Sequence, residues 1–220
     1  MDPVYLPVHQ SEKCETGWRI TTKRRGKGYF SDTFASCCDN NCEYVAKVQG
    51  DSISSRRESE IQRIASTIGV AVPITDIWNY RDNLVIVMPT LKYTFAEIFN
   101  QLRQKCTDDE KTCQDVANTV ADYVNRTIEK IDLLRKNNII HNDMNLGNIM
   151  VDDNDEIFLI DYGISQIISS EKIFKKFYYE KDIKELIDIT SREFNNTPVW
   201  KYLKQQLPQK YVVDFVLPPI

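Results

Sequence analysis

Two carboxylates and one carboxamide stand at fixed distances in the second half of the chain. Asn148 follows Asp143 by five residues, and Asp161 follows it by eighteen. Between Asn148 and Asp161, two short apolar stretches flank a polar turn, which predicts a β-hairpin that brings the three side chains to one end. Hard oxygen ligands of this kind hold Mg²⁺, while a separate carboxylate can orient an attacking hydroxyl. The spacing therefore indicates phosphoryl transfer from a nucleoside triphosphate.

This pattern resembles the catalytic and metal-binding loops of the protein-kinase superfamily. His141, Asp143 and Asn148 match H-x-D-x-x-x-x-N, and Asp161-Tyr162-Gly163 stands in place of D-F-G. The resemblance implies that Asp143 is the catalytic base, that Asn148 and Asp161 bind metal ions, and that His141 packs the loop. ATP and Mg²⁺ are then the expected cofactors. Each residue alone is also common in turns, so the two spacings carry the interpretation together.

A glycine-rich turn lies near the start of the chain. Between Trp18 and Lys47 the pattern predicts a meander of three strands. Gly26 and Gly28 lie in its first turn and resemble the first two glycines of the kinase G-x-G-x-x-G loop, with Ser31 in the third position. Without a Cβ, backbone amides can approach phosphate oxygens. Two glycines in a hairpin are also explained by turn geometry alone.

Lys47 lies in a predicted strand, with Val45 on the same face. By the resemblance, this lysine holds the α and β phosphates and pairs with a glutamate from the next helix. A sheet-edge lysine that extends into solvent is the alternative. The helix that starts near Ser54 offers Glu60, next to its first buried position, and Glu58 as the second choice.

Two further strands are predicted at Val72–Trp78 and Asn83–Leu91, the second ending where a proline stops ladder pairing. In a kinase this is the hinge, with Met88 behind the adenine and the backbone from Pro89 to Leu91 facing the base. Core filling explains Met88 equally well. The expected nucleotide-binding residues are Gly26, Lys27, Gly28, Ser31, Thr33, Val45, Lys47, Glu60, Met88, Pro89, Leu91 and Met150.

The rest of the chain reads as helical. Helices are predicted from Phe95 to about Leu102, from Asp115 to Arg135 and around Asp182. Asp182 resembles the buried helix aspartate that braces the catalytic loop in kinases. An aspartate that stabilises the helix macrodipole is the alternative. No A-P-E motif follows Gly163.

Length and composition fit one small kinase-like domain that fills residues 1–220. The chain has 220 residues, 42% hydrophobic and 27% charged, which is ordinary for a globular protein with a core. We expect an α+β fold with a small antiparallel-sheet N-lobe carrying one helix, about 15–90, and a reduced, mainly helical C-lobe, about 91–215. This size resembles single-domain atypical kinases, such as the small kinase of the KEOPS complex, and compact kinases of large DNA viruses.

Charge and cysteine content indicate the environment. A net charge of −4 gives no argument for nucleic-acid or anionic-membrane partners. The sequence shows neither a secretion signal nor a stretch of roughly 20 apolar residues, so we expect a soluble intracellular protein with six free thiols. A zinc site at Cys37, Cys38 and Cys42 is the alternative, although a clean C-x2-C pair is missing.

The expected activity is transfer of the γ-phosphate of ATP to a serine or threonine hydroxyl of a protein substrate, with room for an activating protein partner. Asp143, Lys47 and Asn145 are the expected catalytic residues. Asn145 stands where most serine/threonine kinases have a lysine, and its carboxamide supplies no charge. Sugar, choline and aminoglycoside kinases also lack that lysine, so a small-molecule kinase is the first alternative. A pseudokinase binding module is the second.

Overall fold

The computed structural model describes residues 6–27, 31–106, 109–168 and 172–212. The chain forms two compact units: the first comprises Met1–Leu91 and Ile160–Gly163, and the second comprises Lys92–Leu159 and Ile164–Ile220. The strands are β1 (His9–Ser11), β2 (Cys14–Lys27), β3 (Ser31–Cys38), β4 (Asn41–Gly50), β5 (Asp76–Tyr80), β6 (Asn83–Pro89), β7 (Tyr93–Thr94), β8 (Ile139–Ile140), β9 (Ile149–Val151), β10 (Ile157–Leu159) and β11 (Gln166–Ile167). The helices are α1 (Ile53–Thr67), α2 (Phe95–Lys105), α3 (Glu110–Lys136), α4 (Lys172–Phe194) and α5 (Trp200–Gln206).

The first unit is built on a six-stranded antiparallel sheet with the order β1-β2-β3-β4-β6-β5. β2, β3 and β4 form the predicted meander, with Thr33 opposite Lys47. β5 and β6 are the two further strands predicted, although β5 begins at Asp76 rather than at Val72. Directly opposed residues point to the same side of a sheet, so this register decides which side chains share a face.

One face of this sheet is covered by its own apolar side chains. Trp18 on β2 donates a hydrogen bond from Nε1 to Asp76 Oδ2 on β5, at 2.8 Å. Ser11 on β1 donates to the same carboxylate oxygen. Strands from both edges of the sheet therefore meet on this face. The buried residues of the cluster are Cys14, Trp18, Ala46, Val85 and Val87.

α1 begins with a capping box. Ser52 Oγ accepts from Ser55 N at 3.1 Å, and Ser55 Oγ accepts from Ser52 N at 2.8 Å. This exchange satisfies backbone N–H groups that the first helical turn leaves unpaired. The buried face of α1 is largely polar and comprises Ser55, Glu58, Ser59, Ile61, Gln62 and Ala65.

The six cysteines form three disulfides, so the prediction of free thiols is wrong. Cys37 and Cys38 are consecutive residues of β3, and consecutive strand residues point to opposite faces. Each therefore pairs with a different cysteine, and the cluster of thiols that the zinc alternative required does not form among the described residues. The pairs are Cys14–Cys38, Cys37–Cys42 and Cys106–Cys113.

The second unit is mainly helical, and aromatic side chains join three of its helices. Phe95 of α2 lies with its ring centroid 5.3 Å from that of Tyr123 on α3. Phe99 of α2 lies 5.5 Å from Phe194 of α4. Such tilted and edge-on pairs add to the apolar burial. The predicted helices are confirmed, but α3 begins at Glu110 rather than at Asp115.

β9 and β10 form the predicted hairpin, with Ile149 opposite Leu159. Its turn contains Asp155, whose φ of 62° lies in the left-handed region. Tyr123 Oη donates to Asp155 Oδ1 at 2.6 Å, and Arg126 Nη1 donates to Oδ2 at 2.9 Å. Burial, followed by the hydrogen bond to Asp155, raises the pKa of Tyr123 to about 12. The hairpin is therefore fastened to α3.

The architecture confirms the predicted α+β class, with an antiparallel sheet and one helix followed by a mainly helical region. Across residues 6–27, 31–106, 109–168 and 172–212, no helix combines the length and apolar character that crossing a membrane requires.

Candidate active site

A buried lysine on β4 belongs to a small charged cluster in the first unit. Lys47 Nζ forms an ion pair with Glu58 Oε1 from α1 and lies 3.4 Å from Asp161 Oδ1. The side chains of Lys47 and Glu58 are 12% and 6% exposed, whereas that of Asp161 is 48% exposed. The cluster therefore joins a buried ion pair to a carboxylate that solvent or a ligand can reach.

Glu58 is the partner of Lys47, so the prediction of Glu60 is wrong. Glu58 lies three residues before Ile61 and seven before Ala65, both buried, so the three share one face of α1. Glu60 is rotated from Glu58 by about 200° around the helix axis and is exposed. The helical period, carried back from Ile61 and Ala65, was the signal that identifies Glu58.

The charge of Lys47 is set by two opposing effects. Burial alone lowers the pKa of Lys47, because an ammonium group loses hydration in the protein interior. The attraction of Glu58, followed by that of Asp161, outweighs burial, so the pKa lies above its usual value. Lys47 is therefore a permanent cation at neutral pH and suits binding of phosphate oxygens.

Asp161 adopts a backbone conformation that is unfavourable for most residues. Its φ is 64°, in the left-handed region, which costs about 1–3 kcal/mol for a residue with a Cβ. The next residue, Tyr162, is 1% exposed and anchors the segment. A Cβ on Gly163 would lie 3.4 Å from Asp161 Oδ1, which is ordinary van der Waals contact, so packing among the described residues does not require a glycine here. The surrounding structure thus holds Asp161 in place with an accessible side chain.

Several predicted nucleotide-binding residues share the face of the sheet that carries Lys47. Thr33 lies opposite both Gly26 and Lys47, and Val45 lies opposite Met88. A Cβ on Gly26 would approach only Thr33, with its nearest atom at 3.8 Å. Packing among the described residues therefore does not require a glycine at this position, and its approach to phosphate stays a prediction.

Other predicted nucleotide-binding residues are placed differently. Ser31 begins β3 and points to the same face as this group. Pro89 ends β6 with its side chain on the other face, and Leu91 follows it half-buried. Lys27 is the last residue of β2. Gly28 lies outside the described residues.

Gln62 is a buried polar residue that the sequence analysis did not single out. Its Nε2 donates to Val72 O at 3.1 Å and lies 3.5 Å from Met88 Sδ. Gln62 follows Glu58 by four residues, so both project from the same face of α1. The contacts of Gln62 join α1 to Val72 and to Met88 of β6, on the same face of α1 as Glu58. The sequence signal that could have identified Gln62 was its position one helical turn after Glu58.

The catalytic-loop residues form a second cluster, in the second unit. Asn148 Nδ2 donates to Asp143 Oδ2 at 2.7 Å and to Asp143 O at 3.0 Å. Since Nδ2 faces Asp143, Oδ1 is the atom of Asn148 that suits a hard cation. Asn145 Nδ2 lies 3.3 Å from Asp143 Oδ1. Each carboxylate oxygen of Asp143 therefore has an amide neighbour.

Asp182 holds the backbone at the start of this loop, which confirms the predicted brace. Its carboxylate accepts from His141 N and from Asn142 N, both at 2.9 Å. Ser165 Oγ donates to His141 O, also at 2.9 Å. Burial raises the pKa of Asp182 to about 6, because it outweighs the stabilisation of the carboxylate by the two amides.

The oxygen atoms of Asp161 and Asn148 fit the hard ligands that Mg²⁺ takes. Asp161 belongs to the first unit and Asn148 to the second, so their expected meeting at one end of the hairpin stays a prediction. Met150 is half-buried in β9, and its predicted contact with a nucleotide also stays a prediction. The two clusters contain the kinds of group that phosphoryl transfer uses: a cation, hard oxygen atoms and a carboxylate.

Comparisons with known proteins agree with this chemistry. The protein kinase domain family matches residues 21–182, which is more than half of the chain and includes both clusters. The chain is 23% identical over 131 residues to NUAK family SNF1-like kinase 1 from Homo sapiens, covering 60% of this chain and 18% of that protein. It is 27% identical over 112 residues to the phosphorylase b kinase gamma catalytic chain, liver/testis isoform, from Bos taurus, covering 51% and 25%. The match thus spans a quarter or less of the length of these curated relatives. By the extent of the family match, this chain belongs to the protein kinase domain family.

Proposed function

We propose that this chain is a serine/threonine protein kinase that uses ATP and Mg²⁺ and transfers the γ-phosphate to a hydroxyl of a protein substrate. The buried ion pair of Lys47 and Glu58 carries the proposal, because it fixes a permanent cation beside the accessible carboxylate of Asp161. Membership of the protein kinase domain family supports ATP as the donor.

Each charged or amide group has one role in this proposal. Lys47 binds the α and β phosphates, and Glu58 keeps its ammonium group in position. Asp161 and Asn148 provide oxygen ligands for Mg²⁺, which neutralises charge on the transferred phosphoryl group. Asp143 orients the attacking hydroxyl and accepts its proton.

The adenine is assigned to the end of β6. Met88 lies behind the base, and the backbone of Pro89 and Leu91 faces its edge. Gly26 leaves the backbone of β2 open to phosphate oxygens, since the atom nearest to an added Cβ there would belong to Thr33, at 3.8 Å. The lobe boundaries expected from the sequence belong to the same proposal, as does an activating protein partner.

Asn145 favours a second candidate, a kinase that acts on small-molecule alcohols. No positive side chain stands two residues after Asp143, and this feature is shared by sugar, choline and aminoglycoside kinases. Those enzymes usually place Asp-x-Asp or Asp-x-Glu at the second metal site, where this chain has Asp161-Tyr162-Gly163. A protein acceptor therefore remains the first choice.

The test uses the full chain with ATP, Mg²⁺ and two classes of acceptor. One class is a set of generic protein substrates, and the other comprises choline, a sugar and an aminoglycoside. We expect phosphoserine or phosphothreonine on protein, and a loss of about 10²–10⁴-fold for Asp143→Ala with ATP binding retained. Asp153→Ala, which changes an 81% exposed aspartate, is the matched control and should leave the rate unchanged.

Two outcomes would contradict the first choice. Transfer to small alcohols alone would support the second candidate. ATP binding without turnover on either class of acceptor would identify a binding module and refute both kinase assignments.

A further inference from the structure

We infer that Asn145 is a positioning residue that braces the loop around Asp143, and does not replace the phosphate-binding lysine that other kinases carry at this position. The inference rests on the proposed function, in which Asp143 accepts the hydroxyl proton. It concerns how neutral amide side chains hold that base.

The oxygen of the Asn145 side chain ties down the backbone that follows it. Oδ1 accepts from Gly147 N at 2.9 Å and from Asn148 N at 3.0 Å. The backbone carbonyl of Asn145 also accepts from Asn148 N, at 3.0 Å. Asparagine side chains commonly form turns of this type with backbone two residues on. One side-chain atom thereby fixes the backbone that leads to the proposed metal ligand Asn148.

The nitrogen of the same side chain faces the proposed base. Nδ2 lies 3.3 Å from Asp143 Oδ1 and 3.5 Å from Asp143 O. These contacts are longer than those of Oδ1, so the acceptor side of Asn145 is the stronger part of the brace. Asn148 Nδ2 binds the other oxygen of Asp143 at 2.7 Å. The carboxylate of Asp143 is thus oriented from both sides by neutral amides.

Gly147 gives separate support for the turn that Asn145 forms. A Cβ at position 147 would lie 3.1 Å from Asn145 Oδ1, closer than ordinary van der Waals contact. The glycine therefore leaves room for the side-chain oxygen of Asn145. A lysine at position 145 has three donors and no acceptor, so it cannot make these two contacts with the backbone amides. At position 145 this loop therefore carries a hydrogen-bonded turn in place of the positive charge of a lysine.

Three substitutions separate a brace from a phosphate ligand. Asn145→Ala removes both functions, Asn145→Asp keeps the acceptor oxygen, and Asn145→Lys supplies charge without an acceptor. The first readout is amide hydrogen exchange at Gly147 and Asn148. We expect exchange at Gly147 N to be at least about tenfold faster in Asn145→Ala and Asn145→Lys, with a smaller rise at Asn148 N, which keeps its bond to Asn145 O, and exchange close to wild type in Asn145→Asp. Asn154→Ala, an exposed asparagine in the β9–β10 turn, is the control and should leave both amides unchanged.

The second readout is steady-state kinetics. We expect kcat to fall about tenfold in Asn145→Ala and Asn145→Lys, with the KM for ATP within about twofold of wild type. A wild-type or higher kcat in Asn145→Lys, with a lower KM for ATP, would overturn the inference.

Hydrogen exchange keeps this inference separable from the proposed function. If wild type transfers no phosphate to any acceptor, the proposed function fails, while the exchange rates at Gly147 and Asn148 still test the brace. If transfer is observed but exchange at both amides is unchanged in Asn145→Ala, the brace is refuted and the kinase assignment stands.

Discussion

The two clusters that the proposed reaction needs are built from opposite kinds of interaction. In the first unit, Lys47 is held between the carboxylates of Glu58 and Asp161. In the second unit, Asp143 is held by the neutral amides of Asn145 and Asn148. Attraction between buried charges acts over several ångströms, whereas a hydrogen bond weakens steeply with distance and angle. Removal of a charge should therefore weaken the first cluster most. Changes in hydrogen-bond distance and angle should weaken the second cluster most.

The difference follows from the backbone that supports each cluster. Lys47 lies in β4, which pairs with β3 on one side and β6 on the other, so the sheet register already fixes its direction. Asp143 lies in a loop between β8 and β9, where no strand pairing positions it. The loop must hold its own geometry, and it does so through the Asn145 turn and the backbone contacts of Asp182.

The largest effect is expected from removing the partner of Lys47. Glu58→Ala leaves a buried ammonium with only the half-exposed Asp161, and such a loss destabilises a protein by about 3–5 kcal/mol. Glu60→Ala changes an exposed side chain on the same helix and should shift stability by no more than about 0.5 kcal/mol. The measurement is the free energy of unfolding in urea. Equal effects of the two substitutions would show that the charged cluster contributes no more than surface residues.

The sequence predicted the framework of both clusters because their signals are local. Strand alternation placed Val45 and Lys47 on one face, and the fixed spacing from Asp143 to Asn148 marked the catalytic loop. The sequence did not predict which face of α1 is buried, because that helix buries Glu58 and Gln62 along with apolar residues. An apolar pattern alone does not locate a face that is largely polar.

The cysteine pairs could not be predicted from the sequence for a different reason. Cys14 and Cys38 meet because β2 and β3 are neighbours, and this relation depends on sheet register across a separation of 24 residues. Cysteine spacing alone does not determine connectivity. The hydrogen bonds of Asn145 were likewise hidden, since the sequence shows that a charge is missing but not which atoms the carboxamide binds.

The second prediction concerns the cross-links of the sheet that carries Lys47. Replacing both Cys14 and Cys38 by serine should lower the free energy of unfolding by about 3 kcal/mol, because the open chain gains conformational freedom when unfolded. The Cys106–Cys113 bond spans a separation of only 7 residues, so replacing both of these cysteines by serine should cost less. Both are measured by urea unfolding without reductant, and an equal loss would contradict the dependence on loop length.

Alkylation of the native protein tests the premise of that comparison. Without reductant, none of the six cysteines should react with iodoacetamide, as read by mass spectrometry. Three intact disulfides would also weigh against a reducing intracellular location, because such compartments keep thiols reduced. Modification of all six cysteines would show that they are free thiols, as we expected from the sequence.

The smallest effect concerns the buried carboxylate of Asp182, which accepts from the backbone at the start of the loop. Asp182 has a pKa of about 6 in the folded protein, above its usual value of 3.8, so the folded state binds its proton more tightly than the unfolded state does. The contribution of this group to stability is therefore fully present below about pH 3.8, is lost as pH rises through about 6, and levels off above that. Between pH 4.5 and 6.5 the loss should amount to about 2 kcal/mol.

Asp182→Asn removes this titration while it retains an oxygen that can accept one backbone N–H. The difference in unfolding free energy between wild type and Asp182→Asn should therefore change by about 2 kcal/mol across this pH range, in the direction that favours wild type at low pH. Asp188→Asn, on the same helix and half-buried, is the control. A constant difference between wild type and Asp182→Asn would mean that Asp182 titrates alike in both states, and that the backbone amides of His141 and Asn142 offset its burial.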